Sequence, residues 1–477
     1  MRTLTIHPGD NVAVVLEEGG AIPRGHKLAL SDIAAGENII KYGAAIGHAA
    51  EDIRAGGHVH VHNCKTNLSG VLEYAYEPVP IAAPEKKSGT FMGYVRADGS
   101  VGIRNEIWIV NTVGCVNKSA ERLAREANIR FAGETDGVFA FSHPYGCSQI
   151  GGDLRRTQDT LKGLARHPNA AGVLVLGLGC EENNIPAFQR ILGSWDSDRV
   201  KFLSAQDVPD EIEAGLAVIG ELVAYAKTFK RRPVDIARLT IGLKCGGSDG
   251  LSGITANPLV GRISDELVSY GGTTILSEVP EMFGAETLLM NRCPTEGLFG
   301  ETVRLINDFK EYYIRHGQQI YENPSPGNKQ GGITTLEDKS LGCTQKGGTS
   351  PVRAVLHDSL APTVPGLNLL RGPGNDIVAV TEMTAAGAHI ILFTTGRGTP
   401  VGAPVPTVKI ASNTALWAAK PNWIDFDAGR LIGGMKMDEL AAGFWQYVLA
   451  VASGEQATRN EQNGYREIAI FKDGVTL

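Results

Sequence analysis

The chain has 477 residues, 43% hydrophobic and 20% charged, which suits a globular protein of two or three domains with a sizeable buried core. Lys and Arg total 45 against 52 Asp and Glu, a net charge of −7, so there is no basic field to gather phosphates and nucleic acid is excluded as an expected partner. The opening "MRTLTIHPGDNVAVVLEEGG" lacks an apolar core ending in a cleavage site, and "AAGAHIILFTTG" falls short of the roughly 20 apolar residues that span a bilayer. The expectation is a soluble, cytoplasmic protein without membrane contact.

Residues 1–76 read as short β-segments, "NVAVVLEEG", "HKLALSDI", "NIIKYGAAIG" and "GHVHVHN", each bounded by Gly, Pro or Asp. This predicts a small β-rich domain. Residues 77–89, "EPVPIAAPEKKSG", carry three prolines and a charge cluster and read as an extended linker free of contacts. From 90 to 280, apolar runs of strand length ("IWIVNTV", "GVFAFS", "AGVLVLGL", "VKFLSA", "LTIGL", "GTTILSE") alternate with amphipathic segments. That pattern predicts a doubly wound, mainly parallel α/β domain. Residues 281–477 read as a third α/β unit, with a helix around 299–316, strands near 390–394 and 406–411, and a last helix around 438–452.

The seven cysteines, an odd number without tight spacing, predict free thiols or ligands instead of a disulfide framework. Four of them, Cys115, Cys147, Cys180 and Cys245, each follow a predicted strand and precede a helix start. The carboxyl ends of parallel strands share one edge, where ligands bind, and a helix N-terminus favours the thiolate that binds metals. The four are therefore expected on one rim, as metal ligands or as pocket walls. His143 shares these loops, either as a proton donor or ligand or as a satisfied loop histidine.

"KCGGSDGLSGITANP" (244–258) matches no nucleotide-binding pattern: the G-x-x-x-x-G-K-[ST] loop is absent and "LGLGCEE" lacks its third glycine. Its glycines, with Ser248, Asp249, Thr255 and Asn257, suit a ligand rich in hydroxyls and carboxylate, such as a sugar acid. "ENPSPGNKQGG" presents Asn328 and Lys329, and "TTGRGTPVG" places Arg397 between glycines as a carboxylate clamp. Arg104 and Asn105 in "GIRNE" read either as ligand contacts or as an interdomain ion pair. "HVHVHN" sets His58, His60 and His62 at period two on one strand face, a metal site or a solvated row, while His26 in "PRGHK" sits in a turn within reach of a neighbouring cleft.

Taken in order, "RGHKLALSDIAAGENIIKYG", "DGSVGIRNEIWIVNTVGCVN", "FSHPYGCSQ", "GLGCEENN", "CGGSDGLSGITANP", "SEVPEMFGAE", "YENPSPGNKQGGITTLEDKSLGCTQK", "TTGRGTPVG" and "WIDFDAG" resemble the altronate and galactarate dehydratase family over nearly the whole chain. "HVHVHN", "EMFGAE" and "LGCTQK" follow the altronate type and depart from the galactarate type, so the histidine row and Cys343 are expected outside the chemistry the two share. The stretch "EEGGAIPRGHK" is shorter than the altronate pattern, as if a hairpin were trimmed.

The resemblance implies an N-terminal SAF-type β-clip domain and dehydration of D-altronate to 2-dehydro-3-deoxy-D-gluconate in hexuronate catabolism. It implies Fe(II) with Mn(II) as substitute; an iron–sulfur cluster on the thiols and a homo-oligomer stay open. Removing the C2 proton and expelling the C3 hydroxyl need a Lewis acid and positioned proton carriers. His26, His143 and Lys329 are the expected catalytic set, with Arg104, Asn105, Ser248, Asp249, Thr255, Asn257, Asn328 and Arg397 binding substrate. Galactarate or another sugar acid as substrate, a non-catalytic sugar-acid sensor, and a nicotinamide-dependent oxidoreductase are the alternatives.

Overall fold

The computed structural model describes residues 2–17, 20–82, 84–357 and 359–473. Glu18 and Gly19 of the trimmed turn, and the last residues of the ending "REIAIFKDGVTL", 474–477, lie outside them.

The β-rich beginning is two antiparallel sheets. One orders Thr3–Leu4, Val12–Val15, Lys27–Ala29 and His58–Val59, and the other Asn38–Lys41, Ala44–Ala49 and Cys64–Lys65. Val12, Ile33, Ile39, Ile46, Ile53 and Val59 fill the space between them, and Ala285 and Leu341 from far along the chain join the same apolar cluster. So small a domain gains much of its core by docking.

A four-stranded parallel sheet follows, ordered Val138–Phe141, Glu106–Asn111, Ala170–Gly177, Val200–Ser204. Ile107, Ile109, Leu174 and Leu176 face helices Asn117–Arg130 and Glu211–Ala226. Trp108, Val110, Val173 and Val175 face Gly151–Arg166 and Ile185–Leu192. Both faces are covered, which is why the strands read as unbroken apolar runs.

The larger sheet has seven parallel strands, ordered Val352–Leu356, Gly366–Leu370, Thr273–Leu276, Thr240–Cys245, Ile390–Thr395, Thr407–Ala411, Phe426–Asp427. Two strands assigned by sequence to the central domain, Thr240–Cys245 and Thr273–Leu276, thus pair with strands from beyond residue 350. The boundary expected at 280/281 cuts through this sheet; apolar periodicity reports that a strand is buried, not which sheet buries it. Thr90–Val95 belongs to neither parallel sheet, lying antiparallel between Arg231–Asp235 and Val101–Gly102.

The linker expectation also changes. Residues 77–89 are extended but held: Val79 N donates to Asn291 O at 2.8 Å, Lys87 N to Ser269 O at 2.9 Å, and Lys87 Nζ pairs with Glu266. Proline enforced the extension, and the open backbone groups found partners at Ser269 and Asn291.

Helices Gly151–Arg166 and Asp376–Ala385 pack between the two parallel sheets. A Cβ on Gly163 would come within 2.3 Å of the Ala385 carbonyl, and one turn earlier Thr160 and Glu382 line one small cavity. The helices therefore run parallel, so the carboxyl ends of both sheets open toward the same side. Among the described residues no helix is long and apolar enough to cross a membrane.

A candidate active site at a domain seam

In the larger sheet Thr240–Cys245 and Ile390–Thr395 are neighbours whose onward connections leave in opposite directions, the switch point where open α/β sheets bind ligands. The loops after both strands meet there: Gly396 N and Arg397 N each donate to Gly247 O at 3.0 Å. Arg397 is exposed and donates through Nη2 to Gln330 Oε1 at 3.0 Å. Lys329, half-buried, precedes Gln330 in the one-and-a-half-turn helix Pro326–Gln330, which Ser325 and Asn328 close with a capping box.

The small β-domain covers this crevice. A Cβ on Gly250 would meet Gly25 O at 2.0 Å, and one on Gly253 would meet the Tyr42 hydroxyl at 2.2 Å. These glycines of the polar loop admit another domain's backbone and ring, where the sequence reading had them admit a ligand. Lys27 and Lys41, both buried, clamp Asp338 at 2.8 and 2.9 Å. Burial pushes the Lys27 ammonium down and Asp338 draws it back up, while the two ammoniums overcome burial and hold the Asp338 carboxyl well below its usual range.

His26 reaches the crevice from the same turn. Its Nε2 lies 3.2 Å from Gln330 O, and its Nδ1 lies 3.0 Å from His58 Nε2. A carbonyl only accepts, so Nε2 carries the proton and Nδ1 presents a lone pair. His26, His58 and His60 bring their ligand nitrogens within 4.8 Å of one another. Burial first, then the charge of His26, pushes His58 and His60 down to about 4, so all three rings are neutral at pH 7. His60 Nδ1 is buried without a hydrogen-bond partner. The trio differs from the expected row, because the strand ends at Val59 and His60 enters a turn; His62 is exposed, its ring 5.5 Å from that of His58.

Beneath the loops lies a second group that the sequence reading largely missed. Cys245 Sγ is 3.3 Å from Cys343 Sγ, and both sulfurs are 3.1 Å from Glu281 Oε2. Lys346 Nζ lies 2.7 Å from Cys245 Sγ, Lys339 pairs with Glu281 at 2.8 Å, and Lys244 pairs with Glu278 and, at 2.9 Å, with Asp376. Three ammoniums already neutralise these anions, so a divalent cation would enter among like charges. The group works as a brace instead: Lys339 also reaches Asn323 Oδ1 at 3.0 Å and Asn328 Oδ1 at 3.3 Å, fixing the turn that carries Lys329. Glu278 holds a left-handed backbone, φ 68°, at its centre.

Several expected site residues have structural partners. Asp249 accepts from Ser252 and Ser412 hydroxyls, each at 2.8 Å, and from Asn413 at 3.1 Å. Thr255 Oγ1 donates to Leu251 O or Ser412 O, both at 2.8 Å. Asn257 joins Gly342 O at 3.0 Å to Thr394 Oγ1 at 2.6 Å, and Asn328 Nδ2 donates to Ser248 O at 2.8 Å. Ser248 Oγ is buried with no partner and lines a cavity of about 10 Å³, room for one water, with Lys41, Tyr42, Lys339 and Cys343.

Arg104 and Asn105 leave the site altogether. Arg104 forks onto Glu461 at 2.7 and 3.1 Å, the interdomain alternative, while Asn105 ties Arg96 to Ala226 O within its own unit. His143 is a satisfied core histidine: Nε2 lies 2.8 Å from Asn111 O, Nδ1 accepts from Tyr145 N, and burial pushes it down to about 4. The expected rim of four thiols divides. Cys115, Cys147 and Cys180 are exposed after strands of the smaller sheet, whereas Cys245 is buried after a strand of the larger one.

Comparison with known proteins matches residues 19–67 to the altronate/galactarate dehydratase SAF domain, 93–227 to the D-galactarate dehydratase/altronate hydrolase second domain, and 236–476 to the D-galactarate/altronate dehydratase C-terminal domain. The chain is 53% identical to altronate dehydratase of Escherichia coli K12 over 100% of both chains. It is 53% identical to altronate dehydratase of Bacillus subtilis 168, over 97% of this chain and 94% of that one. Galactarate dehydratase (L-threo-forming) of Escherichia coli K12 is 33% identical, over 98% and 96%.

Proposed function

The chain belongs to the altronate/galactarate dehydratase family, and from that premise we propose that it is a hydro-lyase converting D-altronate to 2-dehydro-3-deoxy-D-gluconate and water in hexuronate catabolism. The observation that carries this reading is the 53% identity over the full chain to an altronate dehydratase, against 33% to the galactarate enzyme.

The histidine trio fits a divalent ion such as Fe(II) or Mn(II): three neutral imidazoles converge, His26 donates its far N–H to a carbonyl as metal-bound histidines do, and His60 Nδ1 is left without a partner. Bound there, the ion would supply Lewis-acid stabilisation of charge developing on the substrate carboxylate and hydroxyl oxygens. His26 is thereby reassigned from proton carrier to ligand. Arg397 exchanges its bond to Gln330 for the C1 carboxylate, offering a two-pronged donor. Lys329 Nζ, positioned by the Lys339–Asn328 brace, takes the C2 proton and passes it to the C3 hydroxyl, so that the C2–H and C3–O bonds break and water leaves. The docked β-domain excludes bulk water, and Ser248 Oγ faces a cavity that holds one water at most.

The test is an anaerobic assay of Fe(II)-supplied protein against altronate and galactarate, scored by 2-keto acid formation. Altronate is expected to turn over faster. Binding of altronate without keto-acid formation would make the protein a sensor and overturn the reading.

A further inference from the structure

Three thiols remain outside the chemistry above, and they share one address. The smaller parallel sheet is ordered second, first, third, fourth in chain sequence, so its switch point lies between Glu106–Asn111 and Ala170–Gly177. Cys115 follows the first of these strands and Cys180 the second, while Cys147 follows the adjoining Val138–Phe141. In a doubly wound sheet this crevice is where a ligand binds.

The loops are tied into one unit. Gly114 N donates to Tyr145 O at 2.8 Å, joining the residue before Cys115 to one two before Cys147. Asn183 N donates to Gly146 O at 3.1 Å and its Nδ2 to Thr112 O at 2.9 Å, joining the Cys180 loop to both others. Glu181, fixed on Leu178 N and Gly179 N, also accepts from Thr112 Oγ1 at 2.7 Å. The glycines permit this: Gly146 takes φ 96°, and a Cβ there would strike Thr112 O at 2.0 Å. All three cysteines are exposed while their loop neighbours Val116, Gln149 and Glu181 are buried. Each precedes a helix, Asn117–Arg130, Gly151–Arg166 or Ile185–Leu192, whose positive end favours an anionic ligand.

The donor set narrows the ligand. A single ion held at about 2.3 Å by each sulfur needs the sulfurs nearly in contact. Among the described residues only the histidine trio and the Cys245–Glu281–Cys343 group bring ligand atoms within 4.8 Å of one another. Three exposed thiols on one tied rim, outside the spacing of a single-ion site, suit a group with several metal atoms. The other cysteines, Cys64, Cys245, Cys293 and Cys343, are buried elsewhere.

We propose that Cys115, Cys147 and Cys180 ligate an iron–sulfur cluster of the [4Fe–4S] type at the switch point of the smaller sheet, with one iron lacking a cysteine ligand. Both sheets open toward the same side, and this site shares no residue with the seam.

The test is anaerobic reconstitution of the full chain with Fe(II) and sulfide, followed by iron and acid-labile sulfide analysis, visible absorption and electron paramagnetic resonance after reduction. The expected result is about four iron and four sulfide bound per chain, lost on Cys115→Ser, Cys147→Ser or Cys180→Ser and kept on Cys293→Ser. Alkylation mapped by mass spectrometry gives a readout without substitutions: the three thiols should be protected in loaded protein and react in apo protein. Absence of labile sulfide in the wild type, sulfide retained in the triple serine variant, or equal alkylation in both forms would overturn the proposal. Iron bound without sulfide at the histidine trio would persist in the triple variant, so failure here leaves the seam reading separately testable.

Discussion

At the scale of single residues, two arginines that read alike in sequence are expected to fail differently. Arg397→Ala should raise KM for altronate about tenfold to a hundredfold with folding intact, the worth of a charge-assisted hydrogen bond. Arg104→Ala should leave buried Glu461 with only the more distant Arg466, at 3.9 Å, and cost about 3 kcal/mol of stability in urea titration, with KM of the folded enzyme unchanged. The histidines divide likewise. His58 and His60 are pushed down to about 4 and His26 below its ordinary value, so Mn(II) affinity, read by calorimetry, should start to fall at a lower pH than it would for ordinary imidazoles. Ordinary imidazoles would already lose it around 6.5. Sequence could place His26, Arg397 and Lys329 because glycine and proline mark loops that approach something. It could not separate them from Arg104 and His143, since a polar residue after a strand looks the same whether its partner is a substrate or a carboxylate 357 positions away.

At the scale of elements, the GHK turn and the helix Leu336–Cys343 form the hinge of the account. Lys27 and Lys41 come from the small domain and Asp338 from that helix, with 0–2% of each side chain exposed. Asp338→Asn would leave two buried ammoniums facing a neutral amide. It should cost about 3–5 kcal/mol and release the small domain first, measured as earlier proteolysis near residues 67–76 while the parallel sheets stay protected from hydrogen exchange. The strands themselves were legible, from "IWIVNTV" to "HIILF", because both faces of each parallel sheet are covered and most of their residues are apolar. Their pairing was not: "LTIGL" bonds to Ile390–Thr395 across roughly 150 residues, a relation local pattern does not encode. Nor does periodicity foresee that Glu278 and Glu281 meet Cys343 and Lys346 below the crevice, for that convergence depends on where the helix Leu336–Cys343 docks.

At the scale of the whole molecule, buried neutral histidines tie stability to pH. His143 and His389 are pushed down to about 4 by burial. The unfolded chain therefore binds protons that the folded chain refuses between about pH 6.5 and 4, and stability falls as pH falls through that window, by about 3 kcal/mol for each. Asp425, raised to about 6 chiefly by burial, acts oppositely between its folded and ordinary values. Urea midpoints from pH 7 to 5 should decline in the wild type and less steeply in His143→Gln, whose turnover at pH 7 should match the wild type. The domain order read from sequence, β-rich then α/β, also survives at this scale, although the division between the two parallel sheets lies well before residue 280. The central claim is that the seam between the small β-domain and the larger sheet is where altronate loses water. Its most direct test is the anaerobic initial rate of 2-keto acid formation from D-altronate, with Fe(II), in wild type and in His26→Ala/His58→Ala. Steady product in the wild type with at least a hundredfold loss in a folded variant is expected; equal rates in the two would contradict it.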